Sequence, residues 1–196
     1  SQWAIRGENM DFDYLIKRWE EQDILDDIKS GHIHLIWTGG EPTMPKHQEA
    51  IFNFLNHMKS LDIKGHPYNE IETNGTYYIN SNLFFSLHQI NCSPKLANSG
   101  MTEKQRIKPE AIKRIMEHDN YQFKFVVSTE DDIKEVFRDF VEPFNIPLKN
   151  VVCMPGLDDQ ADFHERTEFV LEMAKKYKFR GLTRLHISAW DKTLNV

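Results

Sequence analysis

The stretch from His32 to Pro42 reads HIHLIWTGGEP. Its first part, His32 to Trp37, is a short apolar run that stops at Thr38-Gly39-Gly40, the pattern of a buried strand running into a sharp turn. Two consecutive glycines let the backbone turn with positive φ and approach a ligand closely. Glu41 then offers a carboxylate suited to a cationic group. The same five residues also fit a plain strand-to-helix turn with a surface glutamate. Gln48 to Lys59 follows with helical spacing, placing Ile51, Phe54, Leu55 and Met58 on one face.

This strand, polar turn and helix succession repeats along the chain. Strands are predicted over Tyr68 to Glu72, Gln89 to Ser93, Tyr121 to Val127, Asn150 to Met154 and Leu182 to Ser188. Between them, helices are predicted near Leu83 to Leu87, from Pro109 to about His118, and from Asp131 to Val141 behind the capping residues Ser128, Thr129 and Glu130. A last helix spans Asp162 to Lys178, with Phe163, Val170, Leu171 and Ala174 inward. Continuous apolar strands alternating with helices imply an α/β fold whose parallel sheet is covered by helices. Six such strands fall short of a complete eight-unit barrel, which takes roughly 250 residues. The chain has 196. The expectation is a partial, open parallel β/α barrel forming one domain over residues 1–196.

Composition narrows the function classes. Hydrophobic residues make up 40% and aromatics 12% of the chain, enough for a substantial core. The net charge is −6, which speaks against a general nucleic-acid surface. The cluster Lys175-Lys176-Tyr177-Lys178 reads as a solvated helix end. No apolar run approaches the ~18 residues of a membrane span, and no secretory signal opens the sequence, so a cytoplasmic protein is expected. Cys92 and Cys153 sit in apolar strand-like runs and are expected as two buried thiols.

In parallel α/β sheets ligands bind beyond the carboxyl ends of the strands. Those ends carry the polar signals here. After TGGEP come Glu72-Thr73-Asn74-Gly75-Thr76 and Cys92-Ser93-Pro94-Lys95-Leu96, the latter followed by the polar loop Ala97-Asn98-Ser99-Gly100. Gln122 and Lys124 alternate with Tyr121, Phe123 and Phe125, so they either point at a ligand inside the sheet's curve or face solvent at an edge. Met154-Pro155-Gly156 ends the fifth strand. Arg184-Leu185-His186 falls on the last, where Arg184 and His186 are expected to share a strand face.

Taken in order, TGGEP, ETNGT, SPKLANSG, QFKFVV, MPG and RLH resemble the 7-carboxy-7-deazaguanine synthase family of the radical S-adenosylmethionine superfamily. GGEP marks the superfamily, whereas SPKLANSG is the more specific stretch. The resemblance runs from Ser1 to the C-terminus. It implies that Gly39, Gly40 and Glu41 receive the amino group of S-adenosylmethionine. Gly75, Ser93, Pro94 and Lys95 would line the rest of that cofactor, with Met154, Pro155 and Gly156 near its adenosine end. Thr73, His186 and the terminal Val196 would face a pterin substrate. The implied reaction is a radical ring contraction of 6-carboxy-5,6,7,8-tetrahydropterin with loss of ammonia, assisted by Mg²⁺. A reduced 4Fe–4S cluster, an electron donor such as flavodoxin or ferredoxin, and a homodimeric state belong to the same picture.

One departure stands out. The family holds its cluster with three cysteines near the N-terminus, and cluster ligation needs thiolates. This sequence has two cysteines, far apart and in later strands. On the family pattern Ser1-Gln2-Trp3 aligns just past the last cluster cysteine, which makes Ser1 the Mg²⁺-ligating hydroxyl. The expectation is a fragment, lacking first strand and cluster loop, that does not generate the radical by itself. Two other readings share these residues: a cluster-free pterin- or nucleotide-binding homologue, and another superfamily member such as a glycyl-radical activase.

Overall fold

The computed structural model describes residues 11–61, 65, 67–157 and 160–191. Its centre is a six-stranded parallel sheet whose spatial order follows the sequence, β1 (Leu35–Trp37), β2 (Asn69–Thr73), β3 (Gln89–Cys92), β4 (Tyr121–Val127), β5 (Val151–Pro155) and β6 (Arg180–Gly181). The hydrogen-bonded ladder runs from β1 to β6 without closing. The α/β fold and the open parallel sheet match the expectation.

Helices fill the connections: α1 (Phe12–Glu21), α2 (Leu25–Ser30), α3 (Pro45–Ser60), α4 (Ser81–Phe84), α5 (Glu103–Arg106), α6 (Pro109–Met116), α7 (Glu130–Val136), α8 (Glu142–Phe144), α9 (Phe163–Tyr177) and α10 (Leu185–Trp190). Strand alternation sorts the sheet into two faces. Ile71, Ile90, Cys92, Phe123, Phe125, Val127, Val151 and Cys153 are fully buried in one core cluster, which Ile51 and Leu55 of α3, Ile112 and Ile115 of α6, Ile133 and Val136 of α7, and Val170 of α9 complete. A second cluster joins Ile16, Leu25 and Ile28 of the first two helices to Leu35, Phe54 and Met58. Pro45 opens α3 at its first turn, and the predicted face of that helix is buried as expected.

Four readings need correction. The last strand does not run from Leu182 to Ser188: the ladder ends after Leu182 N–H donates to the Cys153 carbonyl, and Leu185–Trp190 is helical. The neighbouring position on β5 is Pro155, which has no N–H to donate, so the alternation of Leu185 and Ile187 has no strand to pair with. Arg184 and His186 therefore share no strand face. On α9 the inward stripe is Val170, with Met173, Ala174 and Tyr177 packed against the core, whereas Leu171 is 43% exposed. The predicted helix to Val141 is regular only to Val136; a π-turn spans Phe137–Val141, just before Pro143 removes a helical N–H donor. The short helix near Leu83 starts at Ser81, because the Asn80 carboxamide oxygen accepts from Leu83 N–H as an N-cap.

Candidate functional site

The other face of the sheet is polar. Glu70 and Glu72 of β2, Asn91 of β3, and Gln122 and Lys124 of β4 stand on it and partner one another. Lys124 Nζ lies 3.0 Å from Glu72 Oε1, bridging over β3. Asn91 donates to Glu70 Oε2 at 3.0 Å and accepts from Gln122 Nε2 at 2.6 Å. Gln122 and Lys124 thus face the inner curve of the sheet and not a solvent edge. At the carboxyl ends of the strands this face opens into a cleft of about 750 Å³.

Of the residues expected at a site, Gly39, Gly40, Glu41, Thr73, Ser93, Lys95, Met154 and His186 line this cleft together. Gly75, Pro94, Pro155 and Gly156 do not. A methyl group added at Gly75 would lie 2.7 Å from Cys92 Sγ, and one at Gly156 would collide with Ser128 Oγ, so both glycines serve close packing beneath the cleft. Ser1 and Val196 lie outside the described residues. The loop Ala97–Gly100 is not a free flap: Ala97 N–H donates to Glu135 Oε1 at 2.8 Å and Asn98 Nδ2 to Asp132 Oδ1 at 3.1 Å.

The turn after β1 is built around Glu41. Gly39 and Gly40 carry φ of 86° and 57°, and an added Cβ on either would meet open space. The glycines are there for their backbone conformation, which only glycine adopts without strain. The turn swings the Glu41 side chain into a buried position, 8% exposed. Its Oε1 accepts from Thr43 N–H at 3.0 Å, from the Thr43 hydroxyl, and from the Thr73 hydroxyl at 2.6 Å. Its Oε2 accepts from Asn74 N–H at 2.8 Å. Gln48, buried on α3, braces the arrangement by donating to the Thr43 and Tyr78 carbonyls at 2.5 and 2.9 Å and accepting from Asn80 N–H. Among the described residues no cation pairs with Glu41.

Arg184 and Leu185 close the opposite side of the cleft beside His186. Arg184 donates from Nη1 to the Leu157 carbonyl at 2.7 Å, while its buried Nε has no partner among the described residues. Sequence reasoning missed Thr43 and Gln48. Gln48 did carry a signal: it is the polar member of an otherwise apolar stripe with Ile51 and Leu55, and a buried amide needs partners.

The donor set tests two cofactors differently. An uncompensated buried carboxylate beside a glycine turn with free space suits the cationic end of S-adenosylmethionine, and Lys95 and Lys124 supply positive charge for an anionic group. An iron–sulfur cluster does not fit the chain's own thiols. Cys92 and Cys153 are fully buried on the helix-facing side of the sheet. Burial, with the Glu41 charge adding to it, pushes the Cys92 thiol well above its ordinary range, and burial pushes Cys153 up to about 12. Neither is available as a thiolate ligand. Among the described residues no group of three or more His, Cys, Asp or Glu side chains forms a metal site.

An open parallel β/α sheet with a polar inner face and a glycine–glutamate turn at the first strand end defines a partial-barrel fold with a candidate ligand cleft at its strand ends. The comparisons sharpen it. The chain is 31% identical over 159 residues to the 7-carboxy-7-deazaguanine synthase of Pyrobaculum aerophilum, which covers 80% of this chain and 65% of that protein. It is a relative of that synthase, spanning just under two thirds of its length. The crystal structure of QueE from Escherichia coli superposes with a TM-score of 0.55 at 15% identity, covering 89% of this chain and 64% of that one, and this likeness bears on the fold. No family model matches the sequence.

Proposed function

We propose that the protein is an enzyme of the 7-carboxy-7-deazaguanine synthase type, a radical S-adenosylmethionine lyase that contracts the ring of 6-carboxy-5,6,7,8-tetrahydropterin with loss of ammonia. The relative's name and the motif order support the reading, and the observation that carries it is the buried Glu41 carboxylate with no cation among the described residues. Burying such a charge is costly unless something compensates it. Four donors hold it in place, and a ligand cation completes it.

S-adenosylmethionine, when bound, supplies the hydrogen-abstracting radical. The chain's own residues bind and orient. Glu41 holds the ligand's ammonium group. Gly39 and Gly40 keep side chains out of its way. Lys95, Arg184 and His186 line the remainder of the cleft, and the Glu72–Lys124 pair forms its floor, presenting both signs of charge to a substrate with a carboxylate and ring nitrogens. Closing such a cleft excludes water from a reactive intermediate.

The two buried thiols of this chain do not fit the cluster. The remainder of the reading rests on the resemblance: a 4Fe–4S cluster held by cysteines other than Cys92 and Cys153, Mg²⁺ with Ser1 as a ligand, Val196 at the substrate, a flavodoxin- or ferredoxin-class donor, a homodimer of single-domain chains, and a cytoplasmic location. No described helix is long and apolar enough to cross a membrane.

The test is anaerobic reconstitution of the native gene product, with iron and sulfide analysis and a product assay on the pterin. About four iron and four sulfide per chain, with formation of the deazaguanine acid, is the expected result. Binding of S-adenosylmethionine without cluster or turnover would replace the enzyme with a ligand-binding protein.

A further inference from the structure

Thr73 sits at the last position of β2, on the rim of the cleft, but its side chain belongs to the helix-facing series Asn69, Ile71, Thr73 and not to the cleft-facing series Glu70, Glu72. It is 3% exposed, and Thr43 is 0% exposed. A threonine hydroxyl has one proton to give. Thr73 gives its proton to Glu41 Oε1 at 2.6 Å, accepts from Gly75 N–H at 3.1 Å, and meets the Thr43 hydroxyl oxygen at 3.1 Å. Nothing is left to donate to a substrate. Glu41 is asymmetric in consequence. Oε1 is surrounded by three donors, whereas Oε2 takes only Asn74 N–H and, with about two lone-pair sites per carboxylate oxygen, keeps one free.

We infer that Thr43 and Thr73 are a pair of positioning residues, one from each of two successive strand ends, that lock Glu41 Oε1 so that Oε2 is presented to the cofactor's cation. This rests on the function proposed above and departs from the substrate-facing role the resemblance gives Thr73. The two hydroxyls act on one oxygen, so they act as a unit. Losing either frees the carboxylate to rotate, and losing the second adds little.

The experiment uses the full-length protein, wild type and with Thr43→Val, Thr73→Val, both together, and Thr73→Ser. Titration calorimetry measures S-adenosylmethionine first, and then the pterin at saturating S-adenosylmethionine. Each valine variant is expected to bind S-adenosylmethionine about tenfold more weakly, the effect of one hydrogen bond to a charged group. The double variant should fall close to either single one, Thr73→Ser should recover the affinity, and pterin affinity should stay within about twofold. Weakened pterin binding with unchanged S-adenosylmethionine affinity in Thr73→Val would overturn the inference and make Thr73 a substrate contact. If the wild type binds no S-adenosylmethionine, the proposed function fails, and hydrogen exchange of the Asn74 amide decides the positioning role alone. That amide is expected to exchange faster in both valine variants, and unchanged protection would sink the pairing. Should a valine variant lose its native circular dichroism, the corresponding alanine variant, which also lacks the hydroxyl, carries the test.

Discussion

Two buried acidic sites in this molecule are built in opposite ways. Under the loop after β3, Arg106 of α5 reaches Glu135 and Asp139 at 2.9 Å each, all three nearly inaccessible. Glu135 Oε1 also accepts from Ala97 N–H, so the cluster staples the loop to the helix behind it. Across the sheet, Glu41 is equally buried but has only hydroxyl and amide donors around it. The first site has its counter-ions, Arg106 for both carboxylates and Arg138 for Asp139, and its role is to hold the chain. The second is held by the chain and is electrically incomplete. A buried charge with its counter-ion is architecture; one without it points to a ligand.

The sharpest break of this contrast is Arg106→Met. It leaves the Glu135 carboxylate buried without a cation and Asp139 with Arg138 alone, and a loss of about 3–5 kcal/mol is expected in denaturant titration. A loss below 1 kcal/mol would mean that Glu135 and Asp139 find other partners. Glu41→Gln should cost stability less, about 1 kcal/mol, while lowering S-adenosylmethionine affinity at least tenfold in calorimetry. A stability loss as large as that of Arg106→Met would put Glu41 on the architectural side.

Acid titration probes the first site. Asp139 is held below its ordinary carboxylate value, first by the hydrogen bond from Arg138 and then by that from Arg106. A depressed carboxyl contributes stability that is complete above its unfolded value, about 4, and lost as pH falls through the folded one. Stability in denaturant titration should therefore hold down to about pH 4 and decline below it. Loss between pH 5 and 7 would contradict the assignment. Smallest of all is Lys176→Ala. Lys176 and Tyr177 both contact the Glu130 carboxylate at 2.6 Å, but on the surface. No resolvable shift in midpoint is expected, since solvent and salt screen such pairs.

The left side of the cleft was legible in the sequence and the right side was not. TGGEP and ETNGT announce glycine turns and a carboxylate at strand ends, and the apolar runs before them have strand length. The network that makes Glu41 special was hidden, because Thr43 looks ordinary and Gln48, polar in an apolar stripe, signals only a need for partners until the fold brings β1, β2 and α3 together. At the right side, Leu185 and Ile187 alternate as a strand would, yet the partner they need stops at Pro155. Helices α1 and α2 went unread, although Asp11, whose carboxylate accepts from Tyr14 N–H, is a visible cap. On α9 Val170 and Ala174 lie inward as expected while Leu171 does not, since Leu171 and Met173 are equally apolar and the sequence alone does not choose between them.

The strand order carries a consequence for how the chain acquires its structure. Each strand pairs with the one just before it in sequence, and none inserts between two that are already joined. Every pairing closes one βα unit only, which keeps loop-closure entropy low. A chain emerging from the ribosome can add strands to a single growing edge, each new helix covering the apolar face as it arrives. The apolar face of β4, with Phe123 and Phe125, is then exposed only until α6 and α7 dock. Across these six strands folding is expected to proceed as a ratchet from β1 toward β6, with the two-residue β6 the most easily reversed of them.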